Sequence, residues 1–383
     1  MKKRPLGRSG LMLTEISLGC EHLERASQEV IDATLGCALD HGVNYIDMFM
    51  ATAPVRDRVG RALRAHPRGR DCLVATHLGS CLTADGQYTV SRDPKGCVAH
   101  VEDMLRRLGR DTVDVLYLHF VDELQDMQRQ LEPGGLVEIA LKMKKEGKCR
   151  AIAMSSHRVP PSLLAVEAGF LDGLMFPVNP TFDRVNGDLK LDVFFQESTQ
   201  SILSREGADT SRRELFLACE RQGVGVVAMK PYAAGLLFSK ERSPGLTLTP
   251  VQCLHYALSQ PGVTCAVPGC RSPQEVMAAL AYYKASEEEQ NYADALAAFS
   301  FAGEGDCMYC NHCLPCPAKI DIAATTRLYD SARLGDPHAV KAKYDALPAK
   351  ASACIGCHAC EKRCPFHVPV VENMARCAAL LEG

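Results

Sequence analysis

The chain has 383 residues, of which 47% are hydrophobic, and a formal net charge of −3 at pH 7, so it can bury one large core plus a smaller module. This charge gives no electrostatic reason to expect nucleic acid or an anionic membrane as a partner. No apolar run approaches the roughly 18 residues of a membrane span and the N-terminus shows no apolar signal segment, so we expect a cytoplasmic protein.

Strand-like apolar segments alternate with amphipathic, helix-like segments over the first three hundred residues. The predicted strands are 15–18, 44–47, 72–76, 113–118, 151–154, 174–177, 225–230 and 265–268. The predicted helices include 28–41, 95–108, 135–146, 161–168, 211–222 and 250–259. Eight such units within about 280 residues predict an α/β fold, a (β/α)8 TIM barrel.

Polar side chains follow these predicted strands, at the end of a barrel where active sites are built. They are Glu21, His22, Asp47, His77, His119, Ser155, His157, Asn179 and Lys230. Histidines and a carboxylate that converge there could act as general acids and bases near neutral pH. They could also bind a divalent metal ion, but no fixed ligand spacing supports that alternative. We therefore favour acid–base roles, with Lys230 as a further acid or anion-binding group.

Eight of the nineteen cysteines lie in two clusters near the C-terminus. The first reads Cys307-x-x-Cys310-x-x-Cys313-x-x-Cys316-Pro, and the second reads Cys354-x-x-Cys357-x-x-Cys360-x-x-x-Cys364-Pro. In two-cluster ferredoxins, three closely spaced cysteines hold one [4Fe–4S] cluster and the remote cysteine before proline holds the other cluster. By that rule one cluster takes Cys307, Cys310, Cys313 and Cys364, and the second takes Cys354, Cys357, Cys360 and Cys316.

Paired Cys-x-x-Cys motifs also bind zinc, and eight thiolates could hold two zinc ions. Two motifs that each end in Cys-Pro are more typical of iron–sulfur binding. The first motif has two residues, not three, before its last cysteine Cys316, which is a small departure from that pattern. We expect residues 1–295 to form the barrel and residues 296–383 to form a small α-helical, ferredoxin-like domain with two clusters that carry single electrons.

Several segments of the chain resemble the aldo/keto reductase superfamily, in the branch that carries a C-terminal two-cluster ferredoxin domain. The matching segments are 5–11 (PLGRSGL), 17–20 (SLGC), 42–47 (GVNYID), 107–119 (RLGRDTVDVLYLH), 228–231 (AMKP), 261–263 (PGV) and 268–273 (PGCRSP). The resemblance implies a barrel that reduces carbonyl groups with NADPH through an Asp, Tyr, Lys and His tetrad. Asp47 matches the aspartate of that tetrad, and His119 matches the histidine.

The other two tetrad positions depart from the pattern of the family. Thr52 stands where the tyrosine is expected and His77 stands where the lysine is expected. A threonine hydroxyl is a much weaker acid than a phenol, so the usual proton donor is missing. Hydride transfer by the family mechanism is therefore disfavoured.

The cofactor positions implied by the resemblance are also partly altered. Ser155 is kept, whereas Ser156, Met175 and Met229 replace the usual partners of the nicotinamide ring. In the loop that would bind the adenosine phosphate, Gly269, Arg271 and Ser272 remain. Ala278 and Ala279 stand where a Glu-Asn pair is expected, so binding of NADP(H) is left open.

Three functions follow from these observations. The favoured one is an oxidoreductase for a small polar organic substrate, with Asp47, His77 and His119 handling protons and two [4Fe–4S] clusters passing electrons to or from a ferredoxin or flavoprotein. The second is an NADPH-dependent carbonyl reductase with His77 or Lys230 as substitute proton donor. The third is a non-catalytic electron-transfer subunit.

Overall fold

The computed structural model describes residues 1–197, 201, 209–240, 246–298 and 305–383. The chain forms two compact units. The first contains Met1–Val178, Val224–Pro231 and Val263–Ala285, and the second contains Asn179–Gly223, Tyr232–Gly262 and Ser286–Gly383. The predicted boundary between residues 295 and 296 falls inside the helix Ala293–Ala298, and it stays a prediction.

Eight parallel strands of the first unit form a barrel. In chain order the strands of the described residues are β1 Lys3–Pro5, β2 Met12–Thr14, β3 Leu18–Gly19, β4 Tyr45–Met48, β5 Leu73–Leu78, β6 Ser80–Leu82, β7 Tyr88–Val90, β8 Val113–Leu118, β9 Cys149–Ser155, β10 Gly173–Pro177, β11 Gly225–Met229 and β12 Val263–Ala266. The sheet runs β3-β4-β5-β8-β9-β10-β11-β12. Parallel bridges from Ile16 to Ala266 and from Gly19 to Gly269 bring its two edges together.

The helices follow the strands in the alternating order that the sequence predicts. Within the described residues they are α1 Gln28–Asp40, α2 Ala53–Ala65, α3 Pro94–Leu108, α4 Leu124–Leu131, α5 Leu136–Lys145, α6 Val159–Glu167, α7 Val193–Gln196, α8 Ser211–Gln222, α9 Pro250–Ser259, α10 Pro273–Leu280, α11 Glu287–Gln290, α12 Ala293–Ala298, α13 Ile322–Arg333, α14 His338–Asp345, α15 Ala359–Arg363 and α16 Val370–Leu381. None of them is long and apolar enough to cross a membrane.

The sequence predicted the positions of the barrel strands well because parallel strands are buried on both faces. Every residue of β4, β8 and β10 is buried, so each strand reads as a continuous apolar run. The first barrel strand is the exception, because the predicted segment 15–18 is observed as a two-residue strand at Leu18–Gly19. The antiparallel hairpin β6–β7, which follows the third barrel strand, was not predicted.

The core of the barrel is closed at the bottom by the N-terminal hairpin β1–β2. Leu6, Leu11 and Leu13 from this hairpin belong to the same buried cluster as Tyr45 and Tyr117 of the barrel strands. The two phenol oxygens of this tyrosine pair lie 3.0 Å apart, so each buried hydroxyl has a partner. A layer of polar side chains, which includes Asp47, His77 and His119, lies directly above this core.

In the second unit, α13 packs against α14, α16 and α8. The hydroxyl of Tyr344 on α14 donates to the Glu382 carboxylate at 2.6 Å, just after the last helix. Arg213 on α8 pairs with Asp330 of α13, and Asp330 also accepts a hydrogen bond from Tyr309 at 2.8 Å. These contacts connect the first cysteine motif to the helices of this unit.

The contact between strand β11 and the N-terminal hairpin predicts the effect of one substitution. A Cβ atom at Gly225 would lie 2.5 Å from the Gly7 backbone nitrogen and 2.6 Å from Thr264 Oγ1. Because backbone atoms cannot move aside easily, we expect Gly225→Ala to lower the free energy of unfolding by about 1–3 kcal/mol, as overpacked cores do.

Gly36 is the matched control, because it lies in α1 and a methyl group added there would meet no atom closer than 4.0 Å. There Gly36→Ala should raise the free energy of unfolding by roughly 0.5–1 kcal/mol through helix propensity. Urea unfolding followed by circular dichroism measures both changes. A Gly225→Ala protein as stable as the unsubstituted one would contradict the close packing at the base of the barrel.

Candidate active site

Asp47, His77 and His119 meet at the C-terminal ends of three neighbouring barrel strands, as predicted. His77 Nε2 lies 2.9 Å from Asp47 Oδ1, and His77 Nδ1 lies 2.8 Å from His119 Nδ1. A fourth side chain extends this series, because the Tyr88 hydroxyl lies 2.6 Å from His119 Nε2. We call these four residues, Asp47, His77, His119 and Tyr88, the proton row.

The register of the sheet produces this row. Asp47 pairs with Ala75, which is two residues before His77, and His77 pairs with Tyr117, which is two residues before His119. Side chains two residues apart on a strand point to the same face. The three polar side chains therefore stand one layer above the Tyr45–Ala75–Tyr117 layer of the core, and they step upwards from strand to strand.

The direction of each hydrogen bond in the row follows from the negative charge of the Asp47 carboxylate at its end. An ionised Asp47 can only accept, so His77 donates from Nε2 and accepts at Nδ1. His119 must then donate from Nδ1 and accept at Nε2, which leaves the Tyr88 hydroxyl as the donor to His119. Burial, with smaller contributions from His77 and other nearby positive groups, lowers the pKa of His119 well below its usual value, which agrees with a neutral ring.

Aromatic side chains surround the row on both sides. The Phe49 ring stacks on His119, with centroids 5.7 Å apart and planes 10° apart. Tyr117 stacks on His77 at 4.8 Å. These contacts fix the orientation of both imidazole rings and keep water away from them.

Tyr88 is the functional residue that sequence reasoning missed. It lies on the hairpin β6–β7 and not at position 52, where the family pattern led us to look. Thr52 itself is the N-cap residue of α2, and its hydroxyl donates to Glu24 at 3.2 Å. The only sequence signal for Tyr88 was a short alternating segment, Tyr88–Val90, soon after His77, and nothing in it indicated a contact with His119.

A second polar series stands nearby in the same unit. Lys230 Nζ lies 3.3 Å from His157 Nε2, and His157 Nδ1 lies 3.0 Å from Asp122 Oδ2. Burial alone would raise the pKa of Asp122, but hydrogen bonds and charge from His157 lower it. Burial lowers the pKa of Lys230, and the carboxylates of Glu21 and Asp122 oppose that change. Lys230 can therefore supply a positive charge or a proton.

The residues predicted to bind NADP(H) are engaged in contacts of their own. The Ser155 hydroxyl accepts a hydrogen bond from the Phe120 amide at 2.9 Å. The ring of His22 lies against Gly269, so closely that a Cβ there would come within 2.4 Å of it.

In the loop after the last barrel strand, side chains accept hydrogen bonds from nearby backbone amides. Ser272 caps helix α10 by accepting from the Glu275 amide at 3.3 Å. The Glu275 carboxylate accepts from the Arg271 amide at 2.7 Å. This loop therefore places a negative charge beside the amide groups that a phosphate would need.

The second unit brings together cysteines from both motifs. One cavity is lined by the thiols of Cys316, Cys354, Cys357 and Cys360, and otherwise mostly by apolar side chains. Cys316 comes from the first motif and the other three come from the second. This is the grouping that the sequence predicted for one of the two sites.

The predicted grouping of the other four cysteines stays a prediction. Burial, together with the nearby Cys364 thiol, raises the pKa of Cys310 to about 11. Burial, followed by Cys310, Cys364 and Cys360, raises the pKa of Cys313 to about 12, so a thiol of the other predicted group also lies near Cys313. Cys307 accepts a hydrogen bond from the Tyr309 amide at 3.4 Å, and it is also close enough to Cys310 to be influenced by its charge.

The described residues hold no group of three histidine, cysteine, aspartate or glutamate side chains that converges as a single metal ion requires. In the barrel the reason is visible, because His77 and His119 direct their nitrogen atoms at each other and at Asp47. The arrangement of the barrel histidines thus favours proton handling over metal binding.

Comparison with known proteins agrees with the barrel fold. The family model described as "Aldo/keto reductase family" matches residues 15–249. L-glyceraldehyde 3-phosphate reductase of Escherichia coli (strain K12) is 26% identical over 247 residues, and the match covers 63% of this chain and 64% of that protein. D-threo-aldose 1-dehydrogenase of Pseudomonas sp is 23% identical over 261 residues, which cover 61% of this chain and 70% of that protein.

Among solved structures, the aldo-keto reductase AKR11C1 from Bacillus halodurans, in its holo form, has a similar fold. The TM-score is 0.57 at 23% identity, and the match covers 76% of this chain and 95% of that one. The family model matches more than half of the chain. The chain therefore belongs to the aldo/keto reductase family.

Proposed function

We propose that this protein is an oxidoreductase that interconverts an alcohol and a carbonyl group of a small polar substrate at the barrel mouth. We also propose that its eight C-terminal cysteines hold two [4Fe–4S] clusters that exchange electrons with a partner protein. The observation that carries this proposal is the shared cavity of Cys316, Cys354, Cys357 and Cys360. It joins the cysteine of one Cys-Pro pair to three cysteines of the other motif, as in two-cluster ferredoxins.

The chemistry of these thiols fits iron–sulfur clusters. Burial raises the pKa of Cys310 to about 11 and that of Cys313 to about 12, so these two thiols need a nearby cation to bind as thiolates, and iron supplies that charge. Zinc would require four sulfur atoms at about 2.3 Å from one ion, whereas a cuboidal cluster spreads its four ligands over a larger body. When bound, the clusters supply one-electron transfer.

Residues of the barrel can accept and donate the protons of the reaction. The interconversion of an alcohol and a carbonyl group moves two electrons and two protons, and the mouth holds two proton-handling groups. The first is the proton row and the second is Lys230 with His157 and Asp122. A buried row of hydrogen-bonded groups can pass a proton without exposing the reacting atoms to water.

The names of the relatives indicate a class of substrate. One relative is an L-glyceraldehyde 3-phosphate reductase and another is a D-threo-aldose 1-dehydrogenase, so we propose a hydroxyaldehyde or the corresponding polyol. Lys230 supports an anionic or strongly polar substrate, because its ammonium group can pair with a phosphate or carboxylate at the mouth. The substrate class remains part of the proposal.

A second candidate is NADPH-linked carbonyl reduction. The phenol of Tyr88 on His119 favours it, because a tyrosine proton donor is then present despite Thr52. The loop at Gly269 and Arg271 does not fit the phosphate groups well, since His22 covers Gly269 and Glu275 occupies the Arg271 amide. We therefore derive no step through NADP(H).

The surface around the second cysteine motif suits an acidic electron-transfer partner. Ile355 is 68% exposed, and Cys357 is exposed beside it. Residues 350–370 contain Lys350, Lys362 and Arg363 but only one acidic residue, Glu361, in a chain with a net charge of −3. Charge complementarity of this kind speeds encounter with an acidic surface, so we propose a ferredoxin with an acidic surface as the partner.

The metal content of a cysteine variant tests the proposed clusters. Anaerobically purified protein should contain about eight iron atoms per chain, with matching sulfide. Because Cys316 completes the cavity of the second motif, Cys316→Ser should lower this value to about four. The control Cys377→Ala removes a buried cysteine on α16 that belongs to neither motif and should keep the full content. Zinc in place of iron, or iron unchanged in Cys316→Ser, would contradict the proposal.

A titration with NADPH separates the two candidate functions. Under anaerobic conditions we expect no bleaching of the visible cluster absorption and no quenching or enhancement of NADPH fluorescence on mixing with the protein, because Glu275 and His22 oppose phosphate binding. Glu275→Gln removes the charge at this loop and serves as the comparison. Tight NADPH binding to the unsubstituted protein, with turnover of glyceraldehyde, would establish the second candidate and remove the first.

The rate of electron exchange with an acidic ferredoxin tests the proposed partner surface. Lys362→Glu should slow cluster reduction by the reduced ferredoxin about tenfold at low ionic strength, and the difference should shrink as salt is added. Lys341→Glu, on α14, is the control and should have little effect. Rates that depend neither on salt nor on Lys362 would show that the partner docks elsewhere, or that its surface is not acidic.

A further inference from the structure

Tyr88 stands at the open end of the proton row. Its side chain is 48% exposed, whereas Asp47, His77 and His119 are all buried. Its oxygen lies 2.6 Å from His119 Nε2, and a phenol oxygen can accept one hydrogen bond while it donates another. Of the four groups in the row, Tyr88 is therefore the one that a molecule in the barrel mouth can reach.

We propose that Tyr88 is the catalytic residue that exchanges the oxygen-bound proton with the alcohol or carbonyl substrate, and that His119, His77 and Asp47 store and return this proton behind it. This inference rests on the proposed function, since it assumes that a substrate oxygen binds in the barrel mouth. The proton donor proposed here is therefore Tyr88, and not His77 or Lys230 as the sequence suggested. The family pattern places no tyrosine at position 88.

The proton transfer balances without any further reactant. An alcohol O–H bond breaks and its proton passes to the Tyr88 oxygen, while the proton of Tyr88 passes to His119 Nε2. The Nδ1 proton of His119 passes to His77 Nδ1. The substrate is left as an alkoxide, and His77 becomes an imidazolium ion beside the Asp47 carboxylate. The carbon-bound hydrogen and the electrons take no part in this step.

The same row works in the opposite direction when it starts with one more proton. The imidazolium of His77 then donates to His119, whose Nε2–H donates to Tyr88, and the Tyr88 hydroxyl is free to point at the substrate. Transfer of its proton to an alkoxide returns the row to the resting arrangement. The buried Asp47 carboxylate stabilises the charged state of His77.

Other residues at the mouth are less able to play this part. Both nitrogen atoms of His119 are already occupied, by His77 and by Tyr88. The Thr52 hydroxyl is directed at Glu24. Lys230 is engaged with His157, and it belongs to the second polar series.

The charged and titratable groups around the row set the pH at which it works. Those that influence Tyr88 are Arg92, Glu21 and Cys81, and those that influence His119 are His77, Arg92 and His157. The buried groups under the influence of Asp47 are Tyr45, Tyr117 and Cys20. Burial raises the pKa of Tyr88, with Arg92 opposing and Glu21 adding to the rise. Tyr88 is thus a neutral phenol at rest, able to give up a proton only as it receives another.

Nitrogen-15 NMR of histidine-labelled protein tests the row without a substrate. We expect His119 to be neutral with its proton on Nδ1, and His77 to direct an Nε2 proton at Asp47. In Tyr88→Phe the Nε2 resonance of His119 should shift towards that of a nitrogen with no donor. Tyr282→Phe, which alters a tyrosine outside the row, should leave both histidines unchanged. A His119 proton on Nε2 in the unsubstituted protein, or spectra that Tyr88→Phe does not change, would overturn the proposal.

The rate at which the protein reduces DL-glyceraldehyde, with reduced methyl viologen as electron donor, tests the catalytic role of Tyr88. Tyr88→Phe should lower kcat/KM by about 10²–10⁴, the usual share of a general acid or base, mainly through kcat. Because the reductive direction starts with one more proton on the row, we expect reduction to gain over oxidation as the pH falls. Tyr88→Phe should remove this pH dependence, and Tyr282→Phe should change neither the rate nor its pH dependence. A rate within threefold of the unsubstituted protein with the same pH profile would overturn the proposal.

The two proposals fail in different ways. If the protein lacks iron but Tyr88→Phe still shifts the His119 resonance, the iron–sulfur proposal is wrong and the row stands. If the protein holds about eight iron atoms but Tyr88→Phe leaves the His119 resonance unchanged, only the role of Tyr88 is wrong. If glyceraldehyde is not turned over, the NMR spectra alone test the role of Tyr88.

Discussion

The register between parallel strands β4, β5 and β8 is the constraint on which the active site depends. It sets Asp47 opposite Ala75 and His77 opposite Tyr117, so each polar side chain stands two residues beyond the partner of the one before. A shift of one residue would turn every one of these side chains to the other face of its strand. The buried core below, which includes Tyr45, Ala75 and Tyr117, holds this register, because these side chains occupy the same inward face of the strands.

A buried polar row of this kind imposes its own requirements. A donor or acceptor that is buried without a partner costs about 1–3 kcal/mol, so removing any one member of the row leaves another unsatisfied. The stacked rings of Phe49 and Tyr117 keep the imidazoles in place. This rigidity lets the row act in both directions, since only protons need to move while the heavy atoms stay where they are.

The site departs from the pattern of the family that the sequence resembles. By that resemblance Thr52, at the N-terminus of α2, stands where the tyrosine is expected, and His77 stands where the lysine is expected. Tyr88 on the hairpin β6–β7 supplies a phenol to the site, and the imidazole of His77 links Asp47 to His119. The chain thus keeps an aspartate, a histidine and a tyrosine at the mouth, but it connects them in a different order.

Much of the structure follows from local patterns of the sequence. Buried parallel strands read as apolar runs, so most of the barrel strands could be predicted to within one or two residues, and the helices α8 and α9 could be predicted residue by residue. The first and last barrel strands were displaced, since they lie at Leu18–Gly19 and Val263–Ala266. The positions of Asp47, His77 and His119 at strand ends followed from the same pattern, and the cysteine spacing alone predicted which thiols share a cavity. The location in the cytoplasm, the domain boundary near residue 295 and the presence of iron remain predictions.

The sequence by itself determined the barrel and the strand-end polar residues, because both depend on periodicity along the chain. Only the tertiary structure decided that the barrel histidines hydrogen-bond one another in a row, and that Tyr88 completes this row. The contact between Tyr88 and His119 joins residues 31 positions apart through the geometry of a hairpin. No local pattern encodes that distance, because it is fixed by how the hairpin folds over the end of the barrel.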